Sequence, residues 1–109
     1  MKSLVVALFS LYVVSAAVAG EIYGTIIDAG KPVPAGVKVE VAVEGNTYTG
    51  DTDEYGTYHV FAKEKGKCAL TVNYKGQKAS SPIFSYEKAT RYDWAVETDA
   101  EGKLVLKRK

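Results

Sequence analysis

Between residues 37 and 44 the chain alternates strictly. Val37, Val39, Val41 and Val43 share one parity, while Lys38, Glu40 and Glu44 share the other. Successive side chains of a β-strand point to opposite faces, so this run is a strand with one dry face and one wet face. Period-two patterning dominates everything after residue 20, and no stretch of ten or more residues sets apolar side chains at helical spacing.

Turn residues cut this pattern into short strands. Residues 21–28 form the first, with Ile22 and Ile26 on one face and Tyr23, Thr25 and Ile27 on the other. A turn at 29–32 follows, and Pro34 keeps the chain extended as far as Gly36. Glu44-Gly45-Asn46 makes a tight hairpin into residues 47–50, and a polar loop spans 51–56. Alternation resumes at 56–61 with Tyr58 and Val60 inward, then again at 68–74 after a charged turn at 63–67. Lys75-Gly76 turns the chain into a short partner strand, 77–80. Proline lacks the donor of a central strand, so Ser80-Ser81-Pro82 is expected to break the ladder. Residues 83–86 then read as a brief edge strand or an ordered crossing, and 87–89 is the one place where a helical turn could sit. A strand at 90–97 places Tyr92, Trp94 and Val96 on one face, and Leu104 and Leu106 supply the last inward pair.

The resulting expectation is an all-β fold, a seven- to eight-stranded antiparallel Greek-key β-sandwich of immunoglobulin-like or prealbumin-like type. Its dry faces supply Ile22, Ile26, the four valines, Tyr58, Val60, Leu70, Val72, Trp94, Val96, Leu104 and Leu106.

A basic start at Lys2, an apolar run from Leu4 and the sequence Ala17-Val18-Ala19 before Gly20 read as a secretory signal peptide over residues 1–19. The apolar run is short of the roughly 20 residues that cross a bilayer. No cysteine stands at the cut site to carry a lipid. Residues 20–109 then form one domain, secreted or periplasmic, and not membrane-embedded once the signal is removed. Without Lys2 the 109-residue chain carries 13 basic and 13 acidic side chains, a balance with no long-range pull on nucleic acid.

Residues that could carry chemistry are few. Cys68 is the one cysteine, which excludes an internal disulfide, and its parity with Leu70 and Val72 makes it a small core side chain. His59 is the one histidine and falls on the face opposite Tyr58 and Val60. Asp51-x-Asp53-x-Tyr55-Gly56 echoes a calcium loop, but Tyr55 stands where an oxygen ligand is needed and Ala62 where the bidentate glutamate belongs. No cofactor or metal is expected. The mature portion has more tyrosines than so small a sandwich can bury. Tyr48 and Tyr55 flank the 51–54 loop, so Tyr48, Asp51, Asp53, Glu54 and Tyr55 are the candidate recognition patch.

Taken in order, Gly24-x-Ile26-x-Asp28, Pro32-x-Pro34-x-Gly36-Val37-x-Val39, Thr52-Asp53-Glu54-x-Gly56-x-Tyr58-x-Val60 and Gly66-x-Cys68-x-Leu70-x-Val72 resemble the carboxypeptidase regulatory-like domains of the transthyretin-like, prealbumin-type superfamily. The resemblance covers residues 22–76 and departs from the family at Cys68, where an aromatic residue is usual. It implies a non-catalytic module. Enzymes of related fold use more histidines than this chain has, and the ending Val105-Leu106-Lys107-Arg108-Lys109 differs from the C-terminal tetrapeptide of the hydroxyisourate hydrolases. The expected function is a non-enzymatic module binding protein or polysaccharide through a loop patch or strand edge. The alternatives are a structural or homodimerising module, or a calcium-dependent or enzymatic protein working with carboxylates.

Overall fold

The computed structural model describes residues 20–109. The signal-peptide reading of residues 1–19 lies outside the described residues. Ten strands follow in order: β1 (Glu21–Asp28), β2 (Lys31–Pro32), β3 (Lys38–Val43), β4 (Asn46–Asp51), β5 (Thr57–Phe61), β6 (Gly66–Tyr74), β7 (Gln77–Ser85), β8 (Thr90–Arg91), β9 (Trp94–Thr98) and β10 (Leu104–Arg108). β2 and β8 are two-residue pieces, leaving eight strands of ordinary length. They form an all-β, two-sheet sandwich. Among the described residues no helix is long and apolar enough to cross a membrane.

One sheet is β4-β3-β6-β7, antiparallel throughout. The other is built around β1. Ile22 pairs with Val60 of β5 on one side and Thr90 of β8 on the other, and Ile27 likewise lies between Pro32 of β2 and Ala95 of β9. β10 pairs with β9 at the edge. The expected antiparallel sandwich is corrected here, because β1 runs parallel to both β8 and β9. Side-chain alternation reports which face a residue occupies and is silent on strand direction.

The valine ladder faces inward as its parity requires. Val39, Val41 and Val43 are buried, Val37 lies just ahead of β3, and Ile22, Ile26, Tyr58, Val60, Leu70, Val72 and Trp94 meet them between the sheets. Leu104 is buried and Leu106 packs half-covered against the same core.

Two local expectations fail. β7 runs unbroken through Pro82, which pairs with Ala69. It is an edge strand, and the backbone N–H and C=O of Phe84 bond the Tyr92 hydroxyl rather than β6. Groups two residues apart point the same way, so the nitrogen of Pro82 faces the free edge and no ladder bond is lost. Residues 87–88 form a bend and no helical turn, since the chain only crosses from β7 to β8 there.

β8 and β9 are one line interrupted at Tyr92 and Asp93. The Asp93 carboxylate fills the gap, accepting the Thr25 N–H at 2.8 Å and the Thr25 hydroxyl at 3.1 Å. The Tyr92 carbonyl turns inward and accepts the hydroxyl of buried Tyr58 at 2.6 Å, while that hydroxyl accepts the Trp94 indole N–H at 3.1 Å. A Cβ at Gly24 would stand 1.9 Å from that carbonyl oxygen, so only glycine fits beside the bulge.

Candidate functional site

The residues anticipated from sequence fall into two settings. Asp53 is consumed by its own loop: its carboxylate accepts the N–H groups of Tyr55 (2.8 Å) and Thr57 (3.0 Å), closing an Asx-type turn. Gly56 ends that turn at φ +75, with its Cα against the Ile26 carbonyl and Pro32. Glu54 is exposed at the tip, and Tyr55 is 68% exposed beside it. Asp51 lies on the outer face of β4 opposite Lys38. Tyr48 belongs elsewhere. Its ring is half-buried against the core, and its hydroxyl donates to Glu64 Oε1 (2.8 Å) in the loop after β5, where Asn46 Nδ2 donates to Oε2 (2.8 Å). The bond to Glu64 pushes the Tyr48 hydroxyl pKa up, and the same bond, against a smaller opposing effect of burial, holds Glu64 low. Tyr48 and Tyr55 are thus held by different loops. Among the described residues no group of three or more His, Cys, Asp or Glu could hold a metal ion.

Two other surfaces concentrate aromatic and charged side chains. On the outer face of the β1 sheet, Tyr23 stacks on His59 (5.9 Å between centroids, 13° between planes) and carries the Arg91 guanidinium over its other side at 5.9 Å. His59 Nδ1 lies 2.7 Å from Glu21 Oε2, and Arg91 Nε donates to Asp93 at 2.9 and 3.0 Å. Partial burial works against the Asp93 charge, but Arg91 and Thr25 outweigh it and hold the carboxyl below its usual range. Each charge on this face is answered by a neighbour.

The second surface is a cleft of about 520 Å³ on the outer face of the β3-β6-β7 sheet. Strand register builds its floor: Ala42, Ala69 and Pro82 are direct cross-strand neighbours in one row, so three small or flat side chains leave a hollow. Phe84 and Tyr86 stand over it as a stacked pair at 5.6 Å, 41% and 52% exposed. Lys67, opposite Phe84 in register, and Arg108 line it with positive charge. Arg108 rests on the Tyr92 ring at 4.6 Å, and among the described residues neither cation has a carboxylate partner within salt-bridge distance. Cys68 reaches the cleft from beneath. Burial pushes its thiol pKa up, which disfavours the reactive thiolate.

Sequence reasoning passed over this cleft. Phe84 and Tyr86 share a parity opposite to buried Ile83 and Ser85, a signal hidden once Pro82 was read as a break.

No protein-family profile matches the chain, and no curated protein matches it. Solved structures do. The 5-hydroxyisourate hydrolase of Klebsiella pneumoniae is similar with a TM-score of 0.59 and 20% identity over 83% of this chain and 98% of that one. The TIE protein of Bacillus anthracis is similar with a TM-score of 0.58 and 13% identity over 82% of this chain, which spans 20% of that protein's length. At such identities the likeness is one of backbone alone, that of a two-sheet β-sandwich consistent with prealbumin-like or immunoglobulin-like topology.

Proposed function

We propose that this chain is an exported, non-catalytic module of the carboxypeptidase regulatory-like kind, binding an extended protein segment in the cleft beneath Phe84 and Tyr86. The single observation that carries the reading is that stacked, half-exposed aromatic pair over a small-residue floor, flanked by two cations without a carboxylate partner among the described residues. Large apolar side chains held in solvent beside a concave surface favour recognition, because burying them on binding recovers hydrophobic free energy. The chemistry selects the ligand: an aromatic or branched aliphatic side chain for the hollow, with acidic residues beside it for Lys67 and Arg108. The export reading comes from residues 1–19, and the family reading from the motif order between residues 22 and 76. The self-paired charges of the Tyr23 and His59 face make it the lesser candidate.

Selection of displayed peptides against the full chain tests this. Wild type is expected to enrich peptides with an aromatic or aliphatic residue next to Asp or Glu, with binding that weakens as salt rises. The double variant Phe84→Ser with Tyr86→Ser is expected to lose them while its melting temperature holds. Equal binding by the double variant, or enrichment of glycans over peptides on a parallel array, overturns the reading.

A further inference from the structure

The sandwich has four long edge strands, β7 and β10 on one flank and β4 and β5 on the other, and three of them are guarded. β7 carries Pro82 and has the Phe84 backbone capped by the Tyr92 hydroxyl. At β10 the Gln77 side chain accepts the Leu104 N–H at 2.9 Å and donates to the Gly102 carbonyl at 3.1 Å, and Lys103 and Lys107 add charge. The free side of β5 is covered by β4, whose Gly50 Cα abuts the His59 carbonyl. Among the described residues β4 has no proline and no side chain capping its outward backbone groups. Its sequence, Asn46-Thr47-Tyr48-Thr49-Gly50-Asp51, contains no lysine, proline or bulge.

Hairpin geometry says which β4 groups are free. Glu44 (φ 51) and Gly45 (φ 83) form a two-residue turn, so Val43 and Asn46 are its first hydrogen-bonded pair, and Tyr48 and Gly50 also turn their backbone groups to β3. Thr52 keeps the same phase, its N–H donating to the Val37 carbonyl at 2.9 Å. Thr47, Thr49 and Asp51 therefore aim N–H and C=O outward, and none of these groups has a backbone partner outside the strand ladders among the described residues.

We propose that β4 is a homodimerisation edge, on which a second copy of this chain aligns its own β4 antiparallel about a two-fold axis at Thr49. The sequence is self-complementary in that register. Thr49 faces Thr49 of its copy, Thr47 faces Asp51, and Tyr48 faces Gly50. No like charges oppose, and all three outward residues find hydrogen-bonding partners. Centring on Tyr48 instead would place Asp51 against Gly45, which lies in the turn at φ 83 and outside the strand, and lose a pair. The joined sheets would form one continuous sheet of eight strands from two of four. The β4 edge lies on the flank opposite β7, so the dimer leaves the Phe84 cleft open.

The test uses protein purified after expression of the whole coding sequence. Light scattering on a sizing column is expected to give a mass that doubles with concentration. Thr49→Pro removes an outward N–H without touching the β3 ladder, and is expected to abolish the dimer while circular dichroism is retained. Thr49→Lys, which sets lysine against lysine, is expected to do the same. Register is read by cysteine scanning. Thr49→Cys places two thiols on residues about 5.5 Å apart, within disulfide reach. Thr47→Cys leaves them ~13 Å apart along the strands. Cross-linking of the first and not the second is the expected result. Wild type that stays monomeric, a dimer unmoved by both Thr49→Pro and Thr49→Lys, or equal cross-linking at both positions overturns the proposal.

Discussion

Tyr58 holds the two halves of the β1 sheet together through one oxygen. Fully buried, its hydroxyl gives to the Tyr92 carbonyl and takes from the Trp94 indole, and burial pushes its pKa far above the ordinary tyrosine value. Tyr58→Phe deletes that oxygen and leaves a carbonyl and an N–H orphaned. The expected cost is about 2–3 kcal/mol, or roughly 10–20 °C in melting temperature for a domain of this size, read by the fluorescence of the chain's one tryptophan. Asp93 sets the acid side of stability. Its folded pKa lies below that of the unfolded chain, so the stabilisation is fully present above about pH 4 and is lost as pH falls through the lowered folded value. Asp93→Asn is expected to flatten the fall in urea midpoint below pH 4 and to lower that midpoint at pH 7. Asp28, Glu40 and Glu64, also held low, keep part of the slope.

The β3–β4 hairpin puts Glu44 at φ 51, a left-handed conformation that suits asparagine better. Glu44→Asn is expected to add about 0.5–1 kcal/mol to stability in urea titrations, by removing backbone strain. This turn was legible because Gly45 and the flanking alternation are local signals. So were the inward valines and the burial of Cys68. Pro82 was not, since whether a proline harms a strand depends on which side of that strand is vacant, and that is decided by strands distant in sequence. The Tyr58, Tyr92 and Trp94 cluster was equally hidden in its bonding, its partners standing 34 and 36 positions apart in sequence. For the same reason the cleft beneath Phe84 went unread, its floor coming from three strands that only register brings into one row. The loop at residues 51–56 announced its turn chemistry, and the structure puts Asp53 to that use.

For the molecule as a whole, Cys68 offers a gauge of opening. It is 7% exposed with a raised pKa, so a thiol reagent at neutral pH is expected to label the native protein at least about a hundredfold more slowly than the urea-unfolded chain. Labelling at the unfolded rate would show that the β6–β7 side stands open. β1 is the hub of its sheet, yet a tie on one of its flanks, Thr25 to Asp93, spans 68 positions. Synthesis therefore delivers the keystone first and its abutment nearly last. A nascent chain can pair β1 with β5 early, but the other flank of β1 stays open until Trp94 has emerged, and a message cut short before that point yields the four-stranded sheet and a half-built second one rather than a smaller working protein.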